Sequence, residues 1–274
     1  MRLALCAETL AGEDFAAQCA FAAAVGYEGV ELAPFRLGQS PAPVPASTRA
    51  AWRGAAAAAG LAITGFHYAI VQPAGLSITS ADPALRARTL EAMRWLCDLC
   101  ADLGGSYIVH GGPEQRRLDP ADRAGGLRRA AEAYARAGEA AAAAGVTYLV
   151  EPVRASRSDC IHTIADAAAI VRAAGTPGLR TMLDVCTAAE AETEPPAALL
   201  DHWLPSGLIA HVHANDANRA APGQGATRFA PVIAALRRHG YAGWIAVEPF
   251  VFEPDRRACA ARAAGYLRGL MEAA

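Results

Sequence analysis

Short apolar runs alternate along the chain with longer amphipathic, alanine-rich stretches. The short runs cover 3–8, 29–34, 61–67, 106–111, 146–152, 179–185, 208–214 and 244–250. Each is rich in Val, Ile, Leu or Tyr, and none alternates strictly between apolar and polar. That is the pattern of strands buried on both faces, as parallel strands are. Between them the spacing predicts helices over 13–25, 46–59, 82–103, 119–144, 161–174, 196–203, 228–239 and 254–272. Gly26, Gly60, Gly104, Gly145, Gly175 and Gly240 stand shortly before the next strand, where a left-handed residue ends a helix. Asp82-Pro83 and Asp119-Pro120 supply an N-cap followed by Pro at the first helical position. Strand then helix, eight times over, predicts one closed (β/α)8 TIM barrel of the α/β class, a single domain over 1–274. A doubly wound open sheet would need fewer units and usually a glycine-rich first turn, which this chain lacks.

Composition narrows the function classes. The chain has 274 residues and a formal net charge of -2, with no basic stripe of the kind duplex nucleic acid selects. Hydrophobic residues make up 53 %, but much of this is Ala, and no apolar run approaches the roughly 18–20 residues of a membrane helix. No nucleic acid and no membrane are therefore expected as partners, and the charge balance says little about small-molecule substrates. The N-terminus reads as a first strand, not a secretory signal. Seven cysteines, an odd number in apolar contexts, fit thiols in a reducing cytoplasm. Cys97 and Cys100 have C-x-x-C spacing but fall on a predicted helix, without a second Cys or His pair, and are expected to pack. The Pro-rich stretch 40–47 is expected to be a loop on the catalytic face.

In a barrel of this kind the chemistry stands at the C-terminal ends of the strands. The fifth to eighth runs end in Glu151, Asp184, His213 and Glu248. One acidic residue at a strand end serves as readily to cap a helix. Four in register, each after an apolar run, would bury charge at a cost of several kcal/mol unless a cation is shared. Three carboxylates and one imidazole suit Mn²⁺, Mg²⁺, Co²⁺ or Zn²⁺. His211 and His213, separated by one residue, are expected to point to opposite faces, with His213 the ligand and His211 an outer, packed histidine. His67 and His110 end the third and fourth runs and are expected to line the substrate pocket, with structural hydrogen bonding or a second metal as the other readings. Glu31 ends the second run, to bind a sugar hydroxyl or, equally, to form a cap or salt bridge. Trp52, Trp95 and Trp203 fall in helices and are expected to pack.

The blocks Glu151-Pro152, Leu183-Asp184, His213-Ala-Asn-Asp216-Ala-Asn218-Arg219 with Pro222-Gly223-Gln-Gly225, and Val247-Glu248-Pro249-Phe250 carry a resemblance. The sequence resembles the sugar phosphate isomerase/epimerase superfamily, the xylose isomerase-like barrels. Within it the nearest branch is that of ketose 3-epimerases such as D-tagatose and D-psicose 3-epimerase. The resemblance runs through the whole chain in strand order. It implies that Glu151, Asp184, His213 and Glu248 hold one divalent metal ion, Mn²⁺ first among the candidates. It further implies that Glu151 and Glu248 form the acid/base pair, that Arg219 contacts substrate oxygens, and that the protein is a homodimer or homotetramer acting on a carbohydrate.

Two positions depart from the pattern. The family's D-x-x-H histidine is Thr187 here, and its acid six residues after the first metal Glu is Arg157. Both positions grip the substrate in the family. Arg154 and Arg157 are read either as partners of an anionic group or as solvated loop arginines. The chemistry open to these residues is proton abstraction beside a carbonyl with a metal-stabilised enediolate. Return of the proton to the opposite face gives epimerisation, and transfer between neighbouring carbons gives isomerisation. Loss of a β-hydroxyl gives dehydration, as on a keto-inositol or 3-keto-sugar. An abasic-site endonuclease is opposed by the acidic balance and the missing D-x-x-H. A non-catalytic carbohydrate-binding subunit is opposed by the complete ligand set.

Overall fold

The computed structural model describes residues 1–37 and 43–273. Eight parallel strands follow one another in chain order round a closed barrel. They are β1 (Arg2–Cys6), β2 (Gly29–Leu32), β3 (Ala62–Phe66), β4 (Tyr107–His110), β5 (Thr147–Val150), β6 (Leu179–Asp184), β7 (Ile209–Ala214) and β8 (Trp244–Val247). Each lies within or overlaps one of the eight apolar runs. β2, β4 and β8 are buried at every position, as the unbroken apolar runs require. The α-helices of the described residues are α1 (Phe15–Ala24), α2 (Ala46–Ala58), α3 (Pro83–Asp102), α4 (Arg123–Ala144), α5 (Ile164–Ala174), α6 (Val185–Ala191), α7 (Pro196–Trp203), α8 (Phe229–Arg238) and α9 (Arg256–Ala273).

By internal packing the chain divides into two compact units. One comprises Met1–Leu32, Ala51–Thr64 and Met182–Ala274; the other comprises Ala33–Ala50 and Gly65–Thr181. In the first, β1 pairs with β2 through Cys6↔Glu31 and with β8 through Leu5↔Val247. β7 pairs with β8 through His213↔Ala246, and the Glu248 amide continues that ladder onto the carbonyl of Ala214 at 3.2 Å. In the second unit, β4 pairs with β3 through Phe66↔Ile108 and with β5 through His110↔Val150. The Glu151 amide again carries the ladder one residue on, to the carbonyl of His110 at 3.3 Å. Main-chain bonds thus anchor both glutamates at the strand ends.

The local signals explain where the helices stop. Gly145 and Gly175 close α4 and α5 with φ of 75° and 61°, a conformation that costs a residue with a Cβ about 1–2 kcal/mol. Asp82 caps α3 by accepting from the Ala84 amide at 2.8 Å. Asp119 was expected to cap the fourth helix, but it opens only a 3-10 turn, Pro120–Asp122, and Asp122 caps α4. α6 was not predicted. It starts directly after β6, with Asp184 as its N-cap, so the apolar run 179–185 hides a helix start. Of the expected loop at 40–47, residues 40–42 lie outside the described residues, and residues 46 and 47 already belong to α2. All seven cysteines are buried, and none forms a disulfide among the described residues. Cys97 and Cys100 donate to the carbonyls of Met93 and Tyr107, each at 3.3 Å. No helix among the described residues is long and apolar enough to cross a membrane.

Candidate functional site

In the first unit, three of the expected ligands come together. Asp184, His213 and Glu248 each offer one ligand atom, and these atoms lie within 4.8 Å of one another. All three residues are buried. His213 Nδ1 stands 3.1 Å from Glu248 Oε2. Asp184 is held at both oxygens: Oδ1 accepts from the Thr187 amide at 2.6 Å, and Oδ2 from the Asn215 side-chain amide at 2.7 Å. Burial, then the neighbouring Glu248 carboxylate, push the Asp184 carboxyl above its ordinary pKa. A buried acid whose ionisation a neighbouring carboxylate opposes stands where a cation would relieve the repulsion.

Behind His213 stands Glu31. Its Oε1 lies 2.8 Å from His213 Nε2, and its Oε2 lies 3.0 Å from His211 Nε2. All three side chains are fully buried. Burial alone would raise the Glu31 carboxyl. The two imidazoles and their hydrogen bonds outweigh it and hold the group well below the usual carboxylate range. An ionised Glu31 can only accept, so it takes the Nε2–H of His213 and leaves Nδ1 as the ring atom facing Glu248. This is the carboxylate–histidine pairing that orients metal-bound imidazoles. The expectation that His211 and His213 point to opposite faces is corrected here. Side chains alternate along a strand, so residues two apart share a face, and both rings reach the same carboxylate, their centroids 4.9 Å apart. Glu31 is thereby a partner of imidazoles, which is the salt-bridge reading of that residue.

The loop after β7 is tied down by its own side chains. Asp216 Oδ1 accepts from the amides of Ala217 and Thr227 at 2.8 and 3.1 Å, and Asn218 Oδ1 accepts from Ala220 at 3.0 Å. Arg219 has φ of 68°, unusual for a residue with a long side chain. Its carbonyl accepts from the amides of Phe250 and Val251, and its guanidinium lies 4.7 Å over the Phe250 ring. The loop after β7 is thus fastened to the segment that follows Glu248. Thr187 is half-buried in the first turn of α6, where its amide caps onto Asp184.

In the second unit, Glu151 follows β5 and is half-buried. Its side chain lies over Gly111, where an added Cβ would overlap its carboxylate. His110, which ends β4, is fully buried. Its Nδ1 is 3.0 Å from the Tyr148 hydroxyl, and its ring packs against Tyr134 and Tyr148. Burial, then the nearby Arg116 cation, hold it well below the ordinary histidine pKa, so the ring is neutral. His67 is buried and stacks on Tyr68 with centroids 4.4 Å apart. Arg157 is exposed on the loop after β5. Arg116, Asn215 and Gly111 carry no motif of their own. The sequence signal for Asn215 was its place inside the His-Ala-Asn-Asp block; for Arg116 there was none.

A family model described as a xylose isomerase-like TIM barrel matches residues 19–270. An L-ribulose 3-epimerase of Mesorhizobium japonicum is 30 % identical over 195 residues, covering 69 % of this chain and 63 % of the relative. A D-psicose 3-epimerase of Agrobacterium fabrum is 27 % identical over 132 residues, 48 % of this chain and 45 % of the relative. The alignments thus span less than two thirds of either relative's length. A crystal structure of a D-psicose 3-epimerase in the presence of D-fructose superimposes with a TM-score of 0.84 at 19 % identity, covering 99 % of both chains, and so shares the fold. With the eight-stranded closed barrel and a match that runs from the first helix to the last, the chain belongs to the xylose isomerase-like TIM barrel family.

Proposed function

We propose that this protein is a divalent-metal-dependent sugar isomerase or epimerase that moves a proton at a carbon beside a carbonyl. The observation that carries the reading is the buried group Asp184, His213 and Glu248, with ligand atoms within 4.8 Å. Two carboxylates and an imidazole whose other nitrogen is engaged by Glu31 fit a divalent ion, Mn²⁺ first, with Mg²⁺, Co²⁺ and Zn²⁺ as alternatives. Glu151 directly follows β5, and we take it as the fourth ligand on the strength of the family pattern.

When bound, the ion supplies Lewis-acid stabilisation of the negative charge that develops as the proton leaves. Glu151 and Glu248 are the proposed acid/base pair, one removing the proton and the other returning one. The ladder bonds of their own amides hold both at strand ends, which limits the motion of each carboxylate. Arg219, fastened over Phe250, is the proposed contact to substrate oxygens. A ketose substrate is supported by the relatives named for L-ribulose and D-psicose. Dehydration of a keto-inositol or 3-keto-sugar is the second reading. It is favoured by Thr187 and Arg157, which stand where the family carries substrate-gripping His and acid.

The test is incubation with Mn²⁺ and a panel of free ketoses, keto-inositols and 3-keto-glycosides, with a chelated control, and products followed by chromatography. Metal-dependent interconversion of two ketoses epimeric beside the carbonyl is expected. Dehydrated products would select the second reading. No product from any of them, with Mn²⁺ demonstrably bound, would overturn the proposal.

A further inference from the structure

Arg116 is the last residue of a single 3-10 turn, Glu114–Arg116, and it is fully buried. A buried cation without compensation is costly. Among the described residues no carboxylate lies within ion-pair reach of this one. Its guanidinium donates instead to main-chain carbonyls at the ends of two adjacent strands. One amino group donates to the carbonyl of Glu151 at 2.7 Å and the other to the carbonyl of His110. The His110 carbonyl also accepts from the Glu151 amide. Glu151 is therefore held on both sides of its Cα: its N–H through His110, and its C=O through Arg116. A planar fork with two parallel donors suits this bridge, and a lysine offers only a point charge.

The side chain of Glu151 is seated separately. An added Cβ on Gly111 would collide with the Glu151 carboxylate, with Oε2 and Cδ the nearest atoms. Gly111 has no left-handed backbone conformation, so alanine there is sterically opposed by that side chain and not by its own φ. The collision is with the far end of a flexible side chain. It can be relieved by moving the carboxylate, at small cost to the fold. Gly112 repeats the arrangement beside it, where a Cβ would meet the Gln115 side-chain oxygen.

We infer that Arg116 and Gly111 are positioning residues for Glu151: Arg116 fixes its main chain to the end of β4, and Gly111 leaves the space its carboxylate occupies. The inference rests on the reading that Glu151 serves the metal site. In functional terms, a displacement of the carboxylate by about 1 Å is enough to cost on the order of 100-fold in rate.

The experiment measures Mn²⁺ affinity by calorimetry and thermal stability for wild type, Glu151→Gln, Gly111→Ala and Arg116→Lys. Glu151→Gln tests the underlying reading. If it binds Mn²⁺ as wild type does, that reading fails and the inference falls with it. If Glu151→Gln weakens binding, Gly111→Ala is expected to weaken it by about 10- to 100-fold with an unchanged melting temperature. Arg116→Lys, which keeps a buried cation, is expected to weaken it too and to speed amide hydrogen exchange at Glu151. It also serves as the deciding variant should Gly111→Ala not fold. Wild-type Mn²⁺ affinity in Gly111→Ala, or in Arg116→Lys, while Glu151→Gln binds poorly, would overturn the positioning role.

Discussion

Both oxygens of Glu31 are taken by imidazole nitrogens, at 2.8 Å from His213 and 3.0 Å from His211. An amide in its place offers a single acceptor and no charge, so only one ring can keep donating its N–H there. Glu31→Gln should lower Mn²⁺ affinity about 10- to 100-fold, read by calorimetry; affinity within error of wild type would show that His213 does not depend on Glu31. Asp184 gives a pH prediction. Its folded pKa is raised, by burial and then by Glu248. A carboxyl of that kind favours the folded chain while protonated. The contribution is complete below the unfolded pKa and is lost as pH rises through the folded one. Metal-free Asp184→Asn should therefore melt above metal-free wild type at neutral pH, with the gap closing on acidification. A gap that ignores pH would contradict the assignment. Mn²⁺ binding should weaken over the same acid window, because protons compete for the ligand. The four candidate ligands stand out in the sequence because each is an ionisable residue ending an apolar run. Glu31's partnership with His213 does not, since 182 residues separate the pair and only the closing of the barrel joins them. His211 shares the face of His213 because side chains two residues apart in a strand point the same way.

Among the elements, α5 has the most complete local signal. Thr163 accepts from the Asp166 amide at 3.1 Å, and Asp166 accepts from the Thr163 amide at 3.0 Å, a closed capping box. Thr163→Ala should cost about 1 kcal/mol in urea unfolding without changing Mn²⁺ affinity. No loss of stability would mean the box adds nothing to the helix. Apolar runs and glycine stops placed all eight strands, because burial on both faces leaves a continuous apolar imprint. The run ends were less legible. Glu151 and Glu248 lie just past the last regular strand residues, where single ladder bonds still continue. α6 escaped for the same reason in reverse: Asp184 ends a strand and caps a helix at once, and Val185 reads as part of the apolar run.

For the whole molecule, a site that draws ligands from several strands couples metal binding to folding. If Mn²⁺ binds the folded chain alone, saturation at 100 times its dissociation constant stabilises the fold by about 2.7 kcal/mol. A chelator should then lower the melting temperature by several degrees, and Zn²⁺ or Co²⁺ should restore part of it. No shift on chelation would place the ion outside the fold's energetics. The central claim, proton transfer beside a carbonyl at a metal site, is tested most directly by solvent deuterium incorporation. Wild type and Glu248→Gln are incubated in D₂O with Mn²⁺ and a ketose, with and without chelator, and followed by NMR. Deuterium should enter at the carbon beside the carbonyl with wild type and metal only, and Glu248→Gln should fold normally yet exchange nothing. Exchange that persists with chelator, or at the wild-type rate in Glu248→Gln, would contradict the account.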